Sequence, residues 1–119
     1  MIEIHKNSSE KVLGFILSQT LSRNEYLNFS QFIEKMILNK GTESILIILK
    51  DFKGISLDTS DDEVRFLTKH FNSINKVSIL GSSRFSRCLQ MLCRPFSKAK
   101  IKHYRLSNSE TAWKWAETH

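Results

Sequence analysis

The sequence predicts an α/β fold with a largely parallel sheet, and three observations support that prediction. Apolar runs of strand length occur at residues 12–19, 44–49 and 76–80. These runs alternate with segments whose apolar residues recur about every 3.6 positions, as on one face of a helix. The 119 residues include four glycines and one proline, too few for a long linker or a low-complexity segment. Strands that alternate with helices imply right-handed crossovers and parallel neighbours.

Five strands are expected, at residues 1–5, 12–19, 44–49, 76–80 and 99–106. A polar turn at 7–11 joins the first two, so this pair should be antiparallel. Residues 12–19 are apolar at successive positions, as in a strand that is covered on both faces. Asp51-Phe52-Lys53-Gly54 follows the third strand and has the composition of a turn.

Four helices are expected, and capping residues mark where they begin. Ser22 and Glu25 form a capping-box pattern before the first helix, which Gly41 should end. The second helix should begin near Ser60, the third at Ser82 or Ser83 before stopping at Pro95, and the last at Asn108 or Ser109. The predicted inner stripes are Tyr26, Phe29, Ile33, Met36 and Ile37 in the first helix, and Val64, Leu67, Phe71 and Ile74 in the second. The complete order is β-β-α-β-α-β-α-β-α.

Length and cysteine content predict one cytoplasmic domain over residues 1–119. A chain of this size suits a single core. It has no apolar run near the roughly 20 residues that a membrane span needs, and no signal-peptide pattern. The two cysteines, Cys88 and Cys93, are no disulfide framework, which suits a reducing compartment. No metal-ligand spacing or nucleophile–base pattern occurs, so neither an enzyme nor a cofactor is expected.

The net charge of +6 arises from the second half of the chain. Between Arg84 and Arg105 there are seven basic residues and no acidic one. The candidate anion-binding surface consists of Arg84, Arg87, Arg94, Lys98, Lys100 and Lys102. Its alternative is an ordinary solvated face. A membrane surface or an acidic protein fits this charge equally well, whereas nucleic acid is disfavoured because no binding module is present.

Short motifs along nearly the whole chain resemble the SpoIIAA-like branch of the STAS domains. These are small bacterial proteins that share a fold with anti-sigma-factor antagonists and, remotely, with CRAL-TRIO lipid-binding domains. The motifs are Met1-Ile2-Glu3-Ile4, Val12-Leu13-Gly14, Leu21, Glu25-Tyr26, Asp51-Phe52-Lys53-Gly54, Lys69-His70-Phe71, Lys76-Val77-Ser78-Ile79-Leu80-Gly81, Pro95-Phe96, Ala99 and Ala112-Trp113-Lys114-Trp115. The resemblance implies a STAS/SpoIIAA-like α/β fold, with about five mostly parallel strands and four helices.

The resemblance also implies a function in binding rather than in catalysis. STAS domains bind a partner or a small ligand, and regulatory members are phosphorylated on a serine of an Asp-Ser-Ser-Gly motif. That place reads Asp51-Phe52-Lys53-Gly54 here, without a hydroxyl group. The nearby candidates for phosphorylation are Ser56, Thr59 and Ser60, whose alternative role is helix capping. We therefore expect a regulatory domain that acts through a protein partner or self-association.

The alternative function is a carrier of an apolar or lipid-like ligand. It depends on the remote CRAL-TRIO kinship and on four aromatic residues that could form an interface or a pocket, or equally belong to the core: Phe52, Phe66, Phe71 and Trp113. Phe66 lies opposite the inner stripe of the second predicted helix, so residues 55–57 or another molecule should cover it. An apolar pocket of at least about 300 Å³ would support the carrier hypothesis.

Overall fold

The structure, a computed structural model, describes residues 2–55, 71–81 and 93–118. The elements in chain order are β1 (Ile2–Ile4), β2 (Val12–Leu21), α1 (Arg23–Lys40), β3 (Ser44–Ile55), β4 (Lys76–Leu80), β5 (Lys100–Tyr104) and α2 (Ser109–Glu117). Two short 3-10 turns, Arg94–Phe96 and Leu106–Asn108, precede β5 and α2.

The five strands form one mixed sheet, as predicted. Their spatial order is β1-β2-β3-β4-β5, the same as their order in the chain. The strand β1 pairs antiparallel with β2, and every other neighbouring pair is parallel. The strands β1 and β5 are therefore the two edges of the sheet.

The prediction of four helices is wrong, since the described part of the chain contains two α-helices, α1 and α2. The predicted second and third helices fall mainly on residues 56–70 and 82–92, which lie outside the described residues. Phe71 and Ile74, assigned to the second helix, lie in a turn instead. The Phe71 amide donates to Pro95 O at 2.8 Å, and the Ile74 amide donates to Phe71 O. Both side chains are nevertheless buried.

The ends of α1 follow the predicted capping logic. The Glu25 amide donates to Ser22 Oγ at 3.1 Å, and the Ser22 amide donates to Glu25 Oε1 at 3.2 Å. Gly41 ends the helix with φ +69°, a left-handed conformation that glycine adopts without a steric penalty. These caps satisfy backbone groups that a helix end leaves without partners.

The sheet has an apolar cluster on each face, which explains why β2 and β3 are apolar at successive positions. On one face, Phe15 contacts Phe29 of α1 edge to face, with ring centroids 4.8 Å apart. On the other face, Leu46 and Leu80 pack with Ala112 and Ala116 of α2. Alanine at both helix positions lets α2 approach the strands closely.

The strand β3 is longer than predicted, because residues 51–54 continue it rather than forming a turn. Asp51 has φ +53°, and Gln19 on the neighbouring strand has φ +58°. These left-handed residues coincide with register shifts between β2 and β3. The two strands thus remain paired through bulges, past the level at which β4 ends.

Candidate functional site

A cleft of about 540 Å³ lies beside α2, on the face of the sheet that this helix covers. Ile48 and Leu80, the last register pair of β3 and β4, line its floor. Leu106 and Trp113 add further apolar surface. The cleft therefore lies at the carboxyl end of β4 and beside the middle of β3. The carboxyl ends of parallel strands are the general position of ligand sites in open α/β sheets.

Trp113 forms a wall of the cleft because Gly14 leaves room for its ring. A Cβ atom on Gly14 would lie 2.7 Å from Trp113 Cη2 and 3.1 Å from His5 Cβ. The His5 and Trp113 rings are in contact, with centroids 5.1 Å apart. Ser8 Oγ holds the β1–β2 turn at the same point, since it accepts from the Gly14 amide at 2.9 Å and donates to Gly14 O.

Polar groups at the rim give the cleft an acidic character. Glu110 and Glu117 project from α2, and no lysine or arginine is among the described lining residues. His5 Nδ1 accepts from the Asn7 amide at 3.1 Å, so a neutral imidazole carries its proton on Nε2. An apolar floor with carboxylates at the rim suits a ligand with an apolar body and hydrogen-bond donors.

The carboxyl-terminal end of α2 is held firmly against the sheet. The buried Ser44 Oγ donates to Ala116 O at 2.9 Å. Lys76 Nζ donates to Trp115 O at 3.0 Å and to Thr118 O at 2.8 Å, and thus caps the helix. At the other end, Asn108 makes no side-chain capping bond within the described part of the chain.

A group of lysines surrounds Trp115 on the face of the sheet that α2 covers. Lys76 Nζ lies 5.1 Å and Lys102 Nζ 4.6 Å from the centre of its ring, distances typical of cation–π contacts. The Tyr104 ring is 6.4 Å away. Lys98 and Lys100 line a neighbouring cavity of about 330 Å³. Sequence reasoning found the β5 lysines but missed Trp115, since no local pattern places α2 beside β5.

An apolar groove of about 340 Å³ separates the edge strand β1 from α1. Ile2 and Ile4 line it from the strand, and Phe29 and Phe32 line it from the helix. The Ile4 side chain is 53% exposed. Sequence reasoning missed this groove, although the alternation of Ile2 and Ile4 in a short edge strand was a signal for it.

The aromatic residues predicted to form an interface or pocket do not share one place. Phe52 and Phe71 are buried in the cluster beside α1, where Phe71 contacts Phe96 with ring centroids 5.9 Å apart. Trp113 lies on the opposite face of the sheet. Phe66 lies outside the described residues.

The other predicted site residues are only partly described. Ser56, Thr59, Ser60, Arg84 and Arg87 lie outside the described residues. Arg94 begins a 3-10 turn, and Lys98 follows that turn. Lys100 and Lys102 share one face of β5, where they are the register partners of Lys76 and Ser78 of β4.

Three further observations concern the described ranges of the chain. These ranges contain no group of histidine, cysteine, aspartate and glutamate side chains able to hold a metal ion. None of their helices combines the length and the apolar character that a membrane crossing requires. Cys93 is a half-buried free thiol, and burial raises its pKa to about 11, which makes it a poor nucleophile at neutral pH.

Comparisons with known proteins bear on the whole arrangement. The SpoIIAA-like family model matches residues 12–117. No curated protein matches the chain significantly. Among solved structures, the chain is similar to an uncharacterised protein of the DUF3478 family with a SpoIIAA-like fold from Shewanella loihica PV-4. The two are 20% identical with a TM-score of 0.66, and the alignment covers 97% of this chain and 93% of the other.

Proposed function

Because the chain belongs to the SpoIIAA-like family, as its sequence motifs predict, we propose that it is a non-enzymatic cytoplasmic binding domain that acts through a protein partner or self-association. We further propose that residues 1–119 form a single regulatory domain of the STAS type.

The observation that carries this proposal is the apolar groove between β1 and α1. Ile4 leaves about half of its surface in water beside the rings of Phe29 and Phe32. Large apolar side chains grouped on one surface mark contact sites in soluble proteins. Phe29 is anchored in the core, so the groove presents a preformed surface whose ordering costs little upon binding.

The test compares two charge substitutions on β1. Ile4→Lys places an ammonium group in the groove, whereas Glu3→Lys changes an exposed neighbour that points to the opposite face of the strand. Light scattering after gel filtration and native mass spectrometry would measure the dimer fraction and any co-purified protein. We expect Ile4→Lys to abolish association and Glu3→Lys to preserve it. A wild-type protein that is monomeric and captures no partner would contradict the proposal, as would equal effects of both variants.

The second candidate function is the binding of an apolar or lipid-like ligand in the cleft beside α2. Its volume of about 540 Å³ lies within the range of small-molecule sites. Ile48, Leu106 and Trp113 supply the accessible apolar surface that such a ligand needs. Native mass spectrometry of freshly purified protein should show a small-molecule adduct, and Trp113→Ala should lose it. A titration with a long-chain amine, which has an apolar body and hydrogen-bond donors, that leaves the tryptophan fluorescence unchanged, together with an absence of adducts, would exclude this function.

A further inference from the structure

The edge strand β5 has backbone groups that no described strand pairs with. The Lys100 amide donates to Asn75 O at 2.9 Å, and Tyr104 O accepts from the Gly81 amide at 3.0 Å. Lys100, Lys102 and Tyr104 thus direct their backbone groups toward β4. Because consecutive residues of a strand face opposite neighbours, Ile101 and His103 direct theirs toward the open edge.

Turns at both ends limit this open edge to a short stretch. The Ala99 amide donates to Phe96 O at 3.0 Å, before the strand begins. Arg105 O accepts from the Asn108 amide at 2.9 Å, after the strand ends. The amide and carbonyl groups of Ile101 and His103 remain between these turns, and they match the pairing pattern of one short extended peptide.

The side chains of β5 give this edge a definite chemistry. Lys100 and Lys102 lie on one face of the strand, and Ile101 and His103 lie on the other. Ile101 is 37% exposed, so the second face is partly apolar. Residues 97–105 contain three lysines, one arginine and no acidic residue. Lysines on an edge strand oppose pairing between identical copies, but they attract a strand that carries carboxylates.

We propose that the β5 edge binds an extended acidic segment of a partner protein, which adds to the sheet as a further strand. Its carboxylates lie beside Lys100 and Lys102, and its apolar residues lie beside Ile101. A peptide satisfies both the backbone groups and the charge, whereas a nucleic acid or a membrane satisfies the charge alone. Two ammonium groups contact the Trp115 ring, so nucleic-acid bases cannot stack on that ring without displacing them. The inference specifies a partner for the proposed binding function and does not involve the β1–α1 groove.

The test measures fluorescence anisotropy of a short labelled peptide that alternates glutamate with valine. Two control peptides have the same composition: one has its glutamates and valines in separate blocks, and the other is N-methylated at alternate amides. His103→Pro removes one outward amide, which an edge strand tolerates because the β4 ladder does not use it. His103→Ala keeps that amide and serves as the matched control. Ile4→Lys changes only the distant groove, and circular dichroism would confirm that each variant is folded.

We expect the alternating peptide to bind in a salt-sensitive manner and both control peptides to bind about tenfold more weakly. The N-methylated peptide loses strand hydrogen bonds, and the blocked peptide cannot place its glutamates on the lysine face and its valines on the Ile101 face of the strand. His103→Pro should weaken binding about tenfold, and His103→Ala and Ile4→Lys by less than about twofold. Equal affinity for all three peptides, or for a random DNA oligonucleotide, would show a nonspecific basic surface and overturn the inference. The absence of peptide binding would overturn it too, while association lost in Ile4→Lys would still support the proposed function.

Discussion

Replacing Gly14 with alanine tests whether the Trp113 ring is seated on the backbone of β2. The added methyl group would lie 2.7 Å from Trp113 Cη2, closer than carbon atoms approach in folded proteins. His5 Cβ, 3.1 Å away, restricts movement on the other side. Such overpacking typically costs about 1–3 kcal/mol. Alanine also restricts the unfolded chain, which returns about 0.4–1 kcal/mol. We therefore expect Gly14→Ala to lower the free energy of unfolding by about 1–2 kcal/mol.

A double-mutant cycle assigns this cost to the tryptophan. In a Trp113→Ala background the methyl group meets no ring, so Gly14→Ala should be neutral or stabilising by up to about 1 kcal/mol. The coupling energy between the two positions should then be about 1–3 kcal/mol. Urea unfolding followed by far-ultraviolet circular dichroism measures all four proteins, because this signal does not depend on the tryptophan that is removed.

Additive effects in this cycle would refute the reasoning. If Gly14→Ala costs the same with and without the Trp113 ring, the glycine serves the backbone of β2 and not the ring. A neutral Gly14→Ala in the wild-type background would show that the ring swings out of the cleft at no cost. Either result would remove Trp113 as a fixed wall of the ligand site.

Three further predictions concern buried or bridging polar groups, and urea unfolding measures the first two. Ser44→Ala should cost about 1 kcal/mol because it leaves a buried helix carbonyl without its donor, whereas Ser78→Ala should be neutral or stabilising because the buried Ser78 hydroxyl has no partner among the described residues. The opposite order would contradict this. Lys76→Met should lower the free energy of unfolding by about 1 kcal/mol because α2 loses its cap. Lys100 is the exposed register partner of Lys76, and Lys100→Met should lower it by less than about 0.5 kcal/mol. In a variant with the other cysteine replaced by serine, alkylation of Cys93 at pH 8 should be about a hundredfold slower than that of an unburied thiol. The alkylation rate should increase with pH toward the Cys93 pKa of about 11. A rate equal to that of the unburied thiol would show that reagent and solvent reach Cys93 freely.

Local signals predicted the presence of the five strands and the caps of α1 well because the relevant interactions span only a few residues. The capping box of Ser22 and Glu25 forms as its spacing predicts, and β4 has the predicted bounds. The segment at 51–54 was misassigned although its turn-forming character is real. Asp51 at φ +53° and Gly54 at φ +110° adopt turn-like conformations inside a bulged strand, because pairing with β2 outweighs the local preference.

The predicted number of helices is wrong, and the end of the predicted second helix shows how one sequence pattern fits two structures. Phe71 and Ile74 are three residues apart, a spacing that suits one face of a helix and a tight turn equally well. In the structure, their burial comes from the cluster beside α1 and not from a helix of their own.

The candidate sites could not be predicted from local patterns because each combines distant parts of the chain. The cleft wall brings together His5, Gly14 and Trp113, and only the tertiary fold shows that the glycine makes room for the tryptophan. The lysines around Trp115 come from β4 and β5, and the ring comes from α2. The sequence could show that the second half of the chain is basic, but not which of its aromatic residues the lysines meet.

The unequal ends of α2 determine how the cleft can respond to an occupant. Hydrogen bonds from Ser44 and Lys76 hold the last turn. The first turn, with Ser109 and Glu110 at the cleft, begins after Asn108, whose side chain makes no capping bond to the part of the chain that the structure describes. We therefore expect the first turn of α2, at the rim, to open more readily than its last turn. Opening of the cleft would be a fraying motion of that turn, which costs far less than separating the helix from the sheet. An occupant would accordingly be detected first as slowed amide hydrogen exchange near Glu110, with the exchange of the sheet unchanged.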